Sequence, residues 1–83
     1  MKYVMFKKGL ERTLLSVSSA RIEVNSSSAL HKCLLVIVTT DGTEYKLSGK
    51  INEGVKTEIA FSQIATSDVT TLCDFEVVSI RRL

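Results

Sequence analysis

The chain has no proline, a single histidine, and no apolar run longer than "CLLVIV", Cys33 to Val38. That run is far short of the ~20 residues a membrane-spanning helix needs. Lys7 and Lys8 interrupt the N-terminal stretch "MKYVMFKKGLE" before a signal-peptide core can form, so a cytoplasmic protein is expected. His31, the lone histidine, has no G-x-S-x-G partner motif, which leaves nucleophilic catalysis without its usual set of groups. The four glycines, Gly9, Gly42, Gly49 and Gly54, are scattered and each reads as a turn, so no phosphate loop is expected. With no repeat and no linker-like shift in composition, residues 1–83 read as one small domain.

The titratable residues add little chemistry. Glu11, Glu23, Glu44, Glu53, Glu58 and Glu76 sit among polar or basic neighbours, as solvated faces do, and nothing singles out a catalytic pair. Cys33 and Cys73 are expected to be reduced and buried as small hydrophobes. His31, Cys33, Cys73 and Asp74 lack the paired short spacings of a structural zinc site. The expectation is a protein with no catalytic residues, no metal and no cofactor.

What is present is strand pattern. In "VIVTTDGTEYKL", Val36 to Leu47, Asp-Gly between two β-rich runs predicts a two-residue type I′ hairpin. That register pairs Val36 with Leu47 and Val38 with Tyr45 on one face. It places Leu35 and Ile37 opposite Ser48 and Lys46 on the other. A strand apolar on both faces needs cover on both.

"LLSVSSARIEV", Leu14 to Val24, changes phase: Leu15 and Val17 are odd, while Ala20, Ile22 and Val24 are even. One extra residue near Ser18–Ser19, a β-bulge, keeps all five on one face and bends the strand. The rival is a helix, since Leu10, Leu14, Val17 and Val24 also fit a 3.6-residue period, though the serines and β-branched residues weaken helix propensity there. "KYVMF" is a short strand turned at Gly9, and "NSSS" from Asn25 is a loop. In "DFEVVSIRRL", Phe75 and Val77 fall on one face and Val78 and Ile80 on the other, and this run is expected to pair inside the sheet. The stretch Asn52 to Ala65 alternates as a strand would, yet Thr57, Ala60, Phe61, Ile64 and Ala65 also form a helical stripe.

The fold expected is mainly β: a small, strongly bent antiparallel sheet or barrel with the 36–47 hairpin and at most one short helix. The alternative is α+β, with a helix near 53–66 packed on the sheet. Two-sided apolar strands exceed the cover this length supplies, which points to a non-enzymatic binding module. It would act through protein–protein contact, as a regulator or inhibitor, and pair with a copy of itself in a homodimer. Its interface candidates are Leu35, Ile37, Val78 and Ile80. The alternative is a single-stranded nucleic-acid-binding β domain. There Lys7, Lys8, Arg12, Arg81 and Arg82 would form one basic patch from the two chain ends, with Tyr3 and Phe6 as stacking groups.

Overall fold

The computed structural model describes residues 2–25, 32–49 and 53–83. His31 and most of the "NSSS" loop lie outside them. Seven elements follow in order: β1 (Lys2–Lys8), β2 (Glu11–Asn25), β3 (Lys32–Thr39), β4 (Thr43–Ser48), α1 (Glu53–Thr66), β5 (Val69–Cys73) and β6 (Glu76–Arg82). They form one six-stranded sheet in the order β5-β1-β2-β3-β4-β6. The four central strands are an antiparallel meander, and β5 joins β1 in parallel, so the sheet is mixed rather than wholly antiparallel.

The bulge lies where the phase change puts it. Val17 faces Thr39 and Ser19 faces Val38, which leaves Ser18 as the extra residue. Val17, Ala20 and Ile22 consequently share the face that carries Ile37 and Leu35. The bend lets the first half of β2 pair with β1 and the second half with β3. Only Asp74 and Phe75 separate β5 from β6, although these are the two edges of the sheet. The sheet therefore curls until its edges approach at that corner, and it does not close into a barrel. Asp74 takes φ 62° to make the turn, and Phe75 plugs the core at 4% exposure.

The hairpin is real but its turn is longer than Asp-Gly alone suggests. Ile37 faces Tyr45 and Leu35 faces Leu47, one residue off the expected register. Gly42 N–H donates to the Thr39 carbonyl at 3.0 Å, and Gly42 alone takes a positive φ, 84°. This is the three-residue loop in which a turn is followed by a left-handed glycine. Thr39 and Thr43 fasten it through the Asp41 carboxylate, with the Thr39 hydroxyl donating to Oδ1 and Thr43 N–H doing so at 3.2 Å. These side-chain bonds favour the longer loop over the type I′ turn.

The shift by one residue reverses the faces. Leu35 and Ile37 point to the same side as Tyr45 and Leu47, and α1 lies on that side. The 53–66 segment is thus a helix, and its stripe of Thr57, Ala60 and Ile64 is buried with Phe61 partly so. Ala65 stays exposed. The core joins Ala60 and Ile64 to Val4, Val17, Leu35, Ile37, Leu47, Leu72 and Phe75. Each large side chain fully buried there contributes ~1.5–3 kcal/mol. The Thr57 hydroxyl donates to the Cys33 carbonyl at 3.4 Å, so the one polar group of the stripe is satisfied.

Candidate functional site

Two sheet edges and one bare sheet face remain after α1 has covered the other face. The outer face over β2, β3 and β4 is closed by charge. Glu44, 3% exposed, accepts from Arg21 at 3.2 Å and from Arg81 at 3.3 Å, and Lys46 meets Glu23 at 3.2 Å. Val36 lies at 0% exposure in the row between Arg21 and Lys46.

The β5 edge is different in kind. "VTTLC" carries no charge. Tyr3 N–H donates to the Asp68 carbonyl at 2.8 Å, and Tyr3 stands opposite Val69. In a ladder, alternate residues send both backbone groups to the same neighbour. Thr70 and Leu72 therefore bond to β1, while Val69, Thr71 and Cys73 turn their N–H and C=O groups outward. No described strand lies beyond them. The side chains alternate likewise: Thr70 and Leu72 are buried toward α1, and Val69, Thr71 and Cys73 are exposed.

A groove runs between this edge and α1. One hollow, of about 320 Å³, is lined by Gln63, Ser67, Val69, Thr70 and Thr71. The next shares Gln63 and Thr71 with it and continues past Ile59, Leu72 and Phe75 to Lys56. Lys56 Nζ sits 5.0 Å from the Phe75 ring centre and donates to the Asp74 carbonyl at 3.2 Å. Among the described residues it is the single charged one lining the two hollows. Thr70 Oγ1, in the first hollow, is buried with no hydrogen-bond partner among the described residues.

The β6 edge is guarded. It bears Glu76, Arg81 and Arg82 and is kinked by a bulge, Val78, between the pairs Leu47–Val77 and Lys46–Ser79. Inward charges and bulges keep an edge from pairing. The second bulge also corrects the expected phase: Ile80 faces Tyr45 and so lies on the same side as Val77. This run is an edge strand, not an interior one.

The interface candidates separate accordingly. Leu35 and Ile37 are at 0% exposure beneath α1, so no partner reaches them while the helix is in place. Val78 and Ile80 are exposed, at 56% and 62%, along β6. The basic candidates also separate. Lys7 faces Arg12 near the β1–β2 turn, and Lys8 faces Glu11. Arg81 faces Glu44, whose row continues through Val38 to Ser19, and Arg82 faces Thr43. At ~3.3 Å per residue, the Arg12 and Ser19 rows lie roughly 20 Å apart along β2. Lys7 and Lys8 instead share a cavity with Asp74 and Glu76. Tyr3 lies on the outer face, whereas Phe6 packs against the core, so they form no common stacking platform. Cys33 is buried as expected but Cys73 is exposed on the outer face three strands away.

The sequence reading missed β5 altogether. Its signal was the β-branched alternation of Val69, Thr71 and Cys73 against Thr70 and Leu72, set off by Ser67–Asp68 and Asp74. No protein-family model matches this chain, and neither a curated protein nor a solved structure shows significant similarity to it. No described helix is long and apolar enough to cross a membrane.

Proposed function

We propose that this protein is a non-enzymatic binding module that acts through protein–protein contact, receiving an extended strand along the β5 edge. The observation that carries the reading is the outward row of backbone groups at Val69, Thr71 and Cys73, uncharged and flanked by a groove. Strand addition of this kind takes affinity from main-chain hydrogen bonds and specificity from pockets for alternate side chains. Here the hollows lined by Thr70 and Leu72 would take every second side chain of the guest. Regulation or inhibition by occupancy follows from such a mode, with no chemistry required, and the short apolar runs favour the cytoplasm as its place of action. The division of the basic residues into two groups counts against the nucleic-acid alternative.

Peptide display against the folded protein, with amide-proton mapping of the ligands it yields, tests this. Ligands are expected to slow exchange at Val69, Thr71 and Cys73. Thr71→Pro, which removes one outward N–H and leaves the β1 ladder intact, should abolish binding. Ligands that bind Thr71→Pro unchanged would refute the reading.

A further inference from the structure

We infer that the β5 edge pairs with the β5 edge of a second copy, antiparallel, about a two-fold axis at Thr70. The inference rests on the strand-addition reading and names the guest.

The register follows from four features. First, Thr70 Oγ1 is a buried hydroxyl without a partner among the described residues. An axis at Thr70 sets this residue opposite itself, in the close, non-hydrogen-bonded kind of pair where threonine hydroxyls bond across strands. One symmetric contact then satisfies both hydroxyls. Gln63 and Ser67, which line the same hollow, are the side chains that must give way; Gln63 is exposed and has room to turn.

Second, the axis pairs Val69 with Thr71 of the second copy and Thr71 with its Val69. Both residues direct their backbone groups outward, so each pair exchanges two hydrogen bonds. Third, Asp68 of each copy comes opposite Leu72 of the other. Leu72 lines the hollow that also holds Lys56, so Asp68 comes to a hollow whose one described charge is positive. An axis at Thr71 would instead set Asp68 against Asp74 of the other copy. Asp74 already lines the cavity that contains Lys7 and Lys8. Fourth, β5 and β6 converge at Asp74–Phe75, so the edge is most open at its Val69 end, where this axis lies.

The near-neutral edge suits a copy of itself better than a strongly charged guest. Two such edges meet without like-charge cost, and an isologous two-fold contact is the commonest form of self-association. The β6 edge carries Glu76, Arg81 and Arg82 and is broken by the Val78 bulge, so it offers no such uncharged, regular row.

Sedimentation equilibrium of the full chain, with circular dichroism as the fold control, tests the inference. The wild type should be a dimer. Val69→Glu with Thr71→Glu, and Val69→Lys with Thr71→Lys, alter exposed side chains only, so both doubles should stay folded and become monomers. Mixed in equal amounts, they should recover a heterodimer. Thr70→Val should raise the dissociation constant about tenfold by removing the paired hydroxyls. For the register, Val69→Cys and Thr71→Cys, each combined with Cys73→Ser, should cross-link when mixed, since facing residues lie ~5.5 Å apart.

A wild type that is monomeric at high concentration overturns the inference, as does a dimer that survives both charged doubles. Self-cross-linking of Thr71→Cys alone would move the axis and overturn the stated register. None of these results touches peptide binding at β5. Loss of that binding in Thr71→Pro would sustain the strand-addition reading even if the second copy is not the guest.

Discussion

Lys2 Nζ donates to the Ile64 carbonyl at 2.7 Å, and to the next carbonyl, Ala65, at 2.6 Å. The first residue of β1 thereby caps the last turn of α1. The carbonyls at a helix C-terminus have no partner within the helix, and a cation there also opposes the negative end of the dipole. Lys2→Met keeps the stem and removes the ammonium. It should lower stability by about 1 kcal/mol, measured by urea unfolding, with a smaller loss at high salt. An unchanged midpoint would mean that the cap contributes nothing in solution.

Gly42 is the second test. Its φ of 84° admits a side chain only at a cost, although the space beside it is open. Gly42→Val should destabilise by roughly 1 kcal/mol or more, because a β-branched residue resists the left-handed region. Gly42→Asn should cost less, since asparagine enters that region more readily. Equal losses from the two variants would show that backbone conformation is not the cause.

Asp41 gives the loop a pH dependence. Hydrogen bonds from the Thr39 and Thr43 side chains, with a further one from the Thr43 backbone, hold its carboxyl below its ordinary value. A depressed folded-state pKa means that the unfolded chain binds the proton more readily. The contribution is therefore present above the unfolded-state value, ~4, and is lost as pH falls through the lower folded value. Asp41→Asn should flatten the stability profile in that acid window and leave its shape near neutrality unaltered. A profile unchanged below pH ~4 would remove Asp41 from the account.

Ile37→Lys separates core from surface. With Ile37 at 0% exposure beneath α1, a lysine there strands a charge among Leu35, Leu47 and Ile64. The variant should unfold or lose several kcal/mol, as unpaired buried charges do. Thermal unfolding followed by circular dichroism decides it. A folded variant of near-normal stability would show that α1 does not seal this face.

Much of the sheet was legible where spacing alone decides it. The odd-to-even switch between Val17 and Ala20 located the bulge once the stretch is read as a strand, because strand side chains alternate with a period of two. The helical period of Leu10, Leu14, Val17 and Val24 left that choice open until the pairing with β1 and β3 decided it. The hairpin was legible too, but its register was not. Asp-Gly serves both a two-residue turn and the end of a three-residue loop, and what separates them is the Thr39–Asp41–Thr43 bonding. That single slip moved Leu35 and Ile37 from the core to an imagined interface. At α1, local alternation and the helical stripe competed, and burial of Thr57, Ala60 and Ile64 against Leu35 and Ile37 settled the contest. The candidate site was not legible. An edge is defined by which neighbour a strand lacks, and Val69–Cys73 gains its one described neighbour, β1, from more than sixty residues earlier in the sequence.

The Asp74–Phe75 link also fixes an order of assembly. Among the described residues, β1 to β4 pair with one another as successive hairpins, and such local pairings form quickly. The helix, β5 and β6 close long loops, and their final stretch completes both flanks of the sheet at once. During synthesis, which proceeds from the N-terminus, the meander emerges with β1 and β4 bare on either side and Leu35 and Ile37 uncovered. Residues 69–82, anchored by Phe75, then supply the neighbours of β1 and β4 together, so a nascent chain stalled before residue 69 still carries both flanks bare.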